Sequence, residues 1–241
     1  MKRKWLLKKR TDSPQTQADI SYAVTKPERI AFYGGTFDPV HCGHIAVAKR
    51  LLDLFWLDQF VFLPAFHAPH KPERKPTSGY HRFAMLSLAT QDEPRMSVST
   101  LELDHAKKRY TIDTLPELME KNSESEIFFV MGADSWADIT TWREWEKVLL
   151  MTNHIVVTRP SYEISFGHVT DAVRDRIVDL KGNRKSIEQS GEPKIFITDA
   201  VKLDVSATKI REDVNEDNHL DRVDDVPKEV AKYIEKYELY R

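Results

Sequence analysis

Gly34-Gly35-Thr36-Phe37-Asp38-Pro39-Val40-His41-Cys42-Gly43-His44 is the stretch whose reading decides the fold. The apolar run Ile30–Tyr33 leads into it and the amphipathic run Ile45–Phe55 leads out, so it reads as strand, glycine turn and helix N-terminus. In an α/β protein that junction gathers backbone N–H groups and the positive end of a helix dipole, which together favour a phosphate. Gly34 and Gly35 make the turn and let a ligand approach the backbone. His41 and His44, three residues apart, are expected on one face of the first helical turn. Imidazole N–H groups placed there can donate to oxygens that gain charge in a transition state.

Outward from this junction, short apolar runs alternate with helical spacing. Phe60–Pro64, Ile127–Met131, His154–Thr158 and Lys194–Ile197 read as buried strands. Met96–Leu103 alternates and is expected to be a strand as well. Helices are expected over Gly43–Phe55, Tyr80–Ala89, Thr111–Lys121, Ala137–Leu149, Thr170–Leu180 and Pro227–Tyr237. Val205–Arg211 reads as a loop entering a helix, and Pro64, Pro69, Pro72 and Pro76 rule out regular structure in the loop Ala65–Ser78. The pattern predicts an α/β, Rossmann-like, doubly wound parallel sheet with helices on both faces. Ligands of such sheets bind beyond the carboxyl ends of the strands, where the strand order switches. Gly34–Thr36, the loop with His70 and Lys71, Gly132–Asp134, Arg159 and Ser206–Arg211 all follow strands, so they are expected to converge on one site.

A chain of 241 residues with 41% hydrophobic and 31% charged residues suits one soluble domain with its own core. A net charge of -2 gives no electrostatic case for nucleic acid. No apolar run approaches the roughly 20 residues of a membrane span. The single cysteine, Cys42, permits no intrachain disulfide and fits a reducing, cytoplasmic setting. Residues 1–28 read as a flexible basic and polar tail, and 29–241 as a single domain. Trp5-Leu6-Leu7 is too short an apolar core for a signal peptide.

Several side chains can carry chemistry. Ser206, Thr208, Lys209 and Arg211 combine hydroxyls, cations and helix-start amides, which suits a polyphosphate, although capping explains them comparably. Lys71 sits on a loop between prolines. Asp134, after Gly132 at a strand end, is placed to hold a ribose diol or to cap a helix. Of Trp136, Trp142 and Trp145, one near the strand ends could stack on a planar ring. His41, His44, His67 and His70 could together chelate zinc, but no Cys or Glu cluster accompanies them. Cys42 sits beside the histidines, but a covalent mechanism would need a base and an oxyanion site arranged for it, and nothing else in the sequence points that way.

At this point a resemblance covers most of the chain. Gly34 to His44 resembles the GGTFDPxHxGH signature of bacterial nicotinate mononucleotide adenylyltransferases, members of the HxGH nucleotidylyltransferase superfamily. Pro64-Ala65 with Ala68-Pro69-His70-Lys71, His81–Leu86, Tyr110–Leu115, Gly132–Ser135 with Trp142, Arg159-Pro160 and Ser206–Arg211 look like further blocks of that family, in order. Ala68 and Ala207 replace a proline and a serine of the family pattern. The resemblance implies adenylyl transfer from ATP to nicotinate mononucleotide, with Mg2+ bridging the leaving phosphates and no metal held by the chain itself. It implies His41, His44, Lys71 and Arg211 as catalytic residues. It implies Gly34, Gly35, Thr36, Phe37, Gly132, Asp134, Arg159, Ser206 and Thr208 at ATP, and Tyr110, Thr111, Thr114 and Trp142 at the acceptor. Open alternatives are another acceptor, nicotinamide mononucleotide or phosphopantetheine, and a catalytically silent nucleotide sensor. Neither the preference between the two pyridine mononucleotides nor the oligomeric state is written in these residues.

Overall fold

The computed structural model describes residues 26–66, 76–105, 109–158, 163–181, 191–199, 201, 205–217 and 225–241. The tail up to residue 25, Lys71 with His67 and His70, and Arg159 lie outside the described residues. β1 (Arg29–Gly35), β2 (Gln59–Pro64), β3 (Met96–Val98), β4 (Glu126–Gly132), β5 (Asn153–Val157), β6 (Ile177–Asp179) and β7 (Ile195–Thr198) form one sheet. The strand order is β3-β2-β1-β4-β5-β7-β6, and every pairing among the described residues is parallel.

The helices are α1 (Cys42–Leu54), α2 (Gly79–Thr90), α3 (Leu101–Asp104), α4 (Thr111–Lys121), α5 (Ala133–Ala137), α6 (Trp145–Met151), α7 (Asp171–Arg174), α8 (Ala207–Asp217) and α9 (Lys228–Lys236). Because strand side chains alternate, each strand feeds two cores. Ala31, Phe60, Phe62, Phe128 and Val130 pack with Leu51 of α1, Met85 of α2, Ile210 of α8 and Ile234 of α9. Ile30, Phe32, Ile127, Phe129 and Met131 pack on the other side with Ile112 and Leu115 of α4, Leu149 of α6 and Val173 of α7. The sheet is thus covered on both faces, as the run of buried strands predicts.

The chain leaves β1 toward β2 and β3, then crosses back to place β4 on the other side of β1. That reversal opens a crevice at the carboxyl ends of β1 and β4, the usual place for a ligand in an open α/β sheet. Tyr33 lies level with Val130, so Gly35 and Gly132 flank the crevice.

Two expectations need correction. Met96–Leu103 is a strand only to Val98: Ser99 Oγ accepts the Leu101 N–H at 3.2 Å and the chain turns into the short helix Leu101–Asp104, where Leu101 and Leu103 are both buried. Thr170–Leu180 is not one helix: α7 stops at Arg174, and the β-branched pair Ile177-Val178 adds β6 to the open edge of β7. Ala137–Leu149 is helical in segments, as expected: the end of α5, a 3-10 turn at Ile139–Thr141 and α6, with Glu144 at φ 51 between the last two.

Candidate active site

A cavity of about 600 Å³ opens at the switch point, a size that suits a nucleotide-like ligand. It is lined at one end by Gly34–Asp38, His41, His44, Ser206, Thr208 and Arg211, and at the other by Glu102, Arg109, Tyr110, Thr111, Trp142 and Arg143. Gly132 and Asp134 lie on its wall. Residues from the two ends of the described chain therefore meet in one space, as expected for Gly34–Thr36, Gly132–Asp134 and Ser206–Arg211.

His41 is the N-cap of α1, with extended backbone, and is not on the helical turn itself. The pairing of the two imidazoles holds nonetheless: their rings stack at 3.7 Å between centroids, 27° apart. The His41 backbone N–H donates to Nδ1 of His44 at 3.2 Å. An Nδ1 that accepts leaves the proton of a neutral ring on Nε2. Burial pushes the His44 imidazole well below its usual range, and the neighbouring His41 pushes the same way. One side of the ring still meets the cavity, which tempers the effect. Tyr33 and Phe37 meet the His44 ring edge-on and set its orientation.

Gly34 and Gly35 close β1, and neither has a positive φ; the left-handed residue of the junction is Phe37, at φ 50. The glycines are needed for room. A Cβ on Gly34 would meet the Phe129 ring at 2.9 Å, and one on Gly35 would meet the Phe37 ring at 2.8 Å. Around Gly132, by contrast, a Cβ would meet nothing within 4 Å, so its open side faces space a ligand can use.

Two arginines tie the mouth of the cavity together. Arg82, fully buried, donates to the carbonyls of Thr36 at 2.6 Å, Ala65 at 2.7 Å and Thr77 at 2.9 Å. Its guanidinium is pushed down by burial, while Asp38 and Tyr240 favour its charge. Arg211, on α8, donates to the Asp38 carbonyl at 2.6 Å and to Thr208 Oγ1 at 3.1 Å. Sequence reasoning found Arg211 but gave Arg82 no role; an arginine inside the apolar stretch of α2 was the available signal. Asp38, inside the signature, was given no role of its own either.

Thr114 does not line the cavity. It is fully buried, and its hydroxyl donates to Glu102 Oε1 at 3.0 Å. Burial raises the Glu102 carboxyl above its usual range, opposed by that hydrogen bond and by the charge of Arg109. Tyr110 caps α4 with Asp113 Oδ2 accepting its N–H at 3.3 Å, and Arg143 lies 5.6 Å from its ring centroid. Trp136 is core, its indole N–H donating to Ser165, whereas Trp142 lines the cavity.

The fold and the cavity define a class of protein: the chain belongs to the cytidylyltransferase-like family, whose model matches residues 32–213. It is 36% identical to a probable nicotinate-nucleotide adenylyltransferase of Thermoanaerobacter sp., over 88% of this chain and 94% of that one. A protein of the same description from Corynebacterium glutamicum is 33% identical over 92% and 93%. Within the wider class, these relatives make the chain one of the nicotinate-nucleotide adenylyltransferases. The fold is also that of a solved structure, Plasmodium falciparum nicotinic acid mononucleotide adenylyltransferase complexed with NaAD. The two share a TM-score of 0.68 and 21% identity over 88% of this chain and 97% of that chain. Among the described residues no helix is long and apolar enough to cross a membrane.

Proposed function

We propose that this protein joins ATP and nicotinate mononucleotide to give nicotinate adenine dinucleotide and pyrophosphate, and that it does so with the residues gathered at the switch point. The observation that carries this reading is the stacked pair His41 and His44 at the start of α1, facing one cavity with Arg211 of α8. A phosphate oxygen of the mononucleotide attacks the ATP α-phosphorus in line. The bond from that phosphorus to the bridging oxygen breaks, and pyrophosphate leaves. Charge builds on the phosphoryl oxygens, so preset donors and alignment supply most of the acceleration.

On this reading the Nε2–H of His44, and His41 beside it, donate to the α-phosphate. Arg211, with Ser206 and Thr208, holds the leaving phosphates; Lys71 and Arg159 are proposed to join them. Gly34, Gly35, Thr36 and Phe37 shape the turn under the phosphates, and Gly132 and Asp134 take the adenosine ribose. Trp142 stacks on the pyridine ring, and Tyr110 and Thr111 meet its carboxylate beside Arg109 and Arg143. Thr114 acts behind them by fixing Glu102. Mg2+ is proposed to arrive with ATP. No group of three or more His, Cys, Asp or Glu among the described residues is placed to hold an ion. The reaction is assigned to the cytoplasm, which the lone Cys42 suits.

The test is product formation from ATP with each mononucleotide side by side. Arg143, over the Tyr110 ring, offers a cation to the acceptor carboxylate, so the kcat/KM for nicotinate mononucleotide is expected at least about tenfold above that for nicotinamide mononucleotide. Equal or reversed values would remove the acceptor assignment. Nucleotide binding without product from either would leave a sensor in place of an enzyme.

A further inference from the structure

Tyr240 lies beyond α9, yet its hydroxyl donates to Oδ1 of Asp38 at 2.7 Å. The chain reaches that point through two left-handed residues, Glu238 at φ 51 and Tyr240 at φ 70. Backbone of that kind is strained for residues with a Cβ and persists where its surroundings hold it. Leu239 and the Tyr240 ring do so by packing on the core shared with α1, α2 and α9.

Asp38 is buried, and a buried carboxylate needs partners. Tyr240 supplies one; the Thr77 N–H supplies the other, donating to Oδ2 at 3.2 Å. Burial first, and then the Asp38 charge, push the Tyr240 phenol up, so it remains a donor through the neutral range. The carbonyl of the same Asp38 accepts from Nη1 of Arg211 at 2.6 Å. Oδ1 and that carbonyl belong to one residue, so whatever holds the carboxylate also sets where the carbonyl points.

We infer that Tyr240 is a positioning residue for the nucleotide half of the site: it anchors Asp38, and Asp38 in turn aims the Arg211 guanidinium at the phosphates. The inference rests on the proposed place of Arg211 at ATP and asks Tyr240 to touch no substrate. A direct hydrogen bond to a charged group is lost in Tyr240→Phe, while the ring that packs on the core is kept.

The experiment is steady-state kinetics of the full chain carrying Tyr240→Phe, Arg211→Lys, or both. In Tyr240→Phe the KM for ATP rises about tenfold, and the KM for nicotinate mononucleotide is unchanged. The combined loss in kcat/KM for ATP is smaller than the product of the single losses, because both act through one guanidinium. An unchanged KM for ATP would overturn the inference. So would losses on both substrates that track a fall in Tm, or losses that multiply in the double variant. Should the variant be unstable at assay temperature, calorimetric binding of a non-hydrolysable ATP analogue well below its Tm reads the same link. Failure of the wild-type chain to form the dinucleotide would remove the reaction instead, and the binding comparison keeps the two failures apart.

Discussion

At the scale of single residues, His44 carries the sharpest expectation. Its Nδ1 is committed to the His41 backbone N–H, its ring meets Tyr33 and Phe37 edge-on, and burial favours its neutral form. In the role proposed for it, a donor held this way needs no reorganisation as charge appears on the α-phosphate. His44→Ala is expected to lower kcat by about 10²–10³-fold with little change in KM for ATP, measured at saturating mononucleotide. Near-normal turnover would place the chemistry elsewhere in the cavity. The two histidines were legible from spacing and from the glycines before them. Their stacking was not, because His41 sits outside the helix as its cap and only three-dimensional geometry brings the rings together. Thr114 misled for the opposite reason. It lies in the same block as Tyr110 and Thr111, but α4 turns its hydroxyl inward to Glu102.

Among the elements, β5 holds a titratable group that the reaction does not use. His154 is fully buried against Phe129, and its Nδ1–H donates to the Thr152 carbonyl at 2.8 Å. Its Nε2 meets no hydrogen-bond partner among the described residues, so a second proton there would be stranded. Burial accordingly pushes this imidazole down to about 4, against the small upward pull of the Thr152 carbonyl. A depressed folded-state value means the unfolded chain takes up the proton first as pH falls, so the contribution is complete above about 6.5 and is lost between there and about 4. By pH 5 the loss from this group is about 2 kcal/mol. Urea unfolding at pH 7 and pH 5 should show that decline in the wild type and a flatter one in His154→Leu. The same slope in both would mean that β5 does not hold the ring neutral. The central strands themselves were readable as apolar runs, because both faces of a parallel strand are buried. β6 was not: Ile177–Asp179 is too short to declare a period, and only the open edge of β7 makes it a strand. Likewise the alternation of Leu101 and Leu103 reads as a strand, and a helical turn of four residues is too short to show a period of its own.

For the molecule as a whole, the consequence of the topology is that the proposed nucleotide half of the cavity is assembled from distant parts of the chain. The end of β1, the turn after it and the start of α1 supply Gly34 to His44, Ser206 and the first turn of α8 supply the residues up to Arg211, and the Arg211–Asp38 contact spans 173 residues. A ligand bound across that seam stabilises the folded state alone, since the unfolded chain does not bring the two segments together. Binding at about 100 times Kd contributes about 2.7 kcal/mol. In a domain of this size that raises Tm by roughly 5–10 °C. Thermal unfolding with and without Mg-ATP should therefore show a shift of that order in the wild type. Arg211→Ala, compared with its own ligand-free Tm, should keep less than half of the shift at the same ATP concentration, because one side of the seam has lost its cation. An equal shift in both proteins would mean that ATP is held by the β1 side alone, and that α8 closes the fold without gripping the nucleotide.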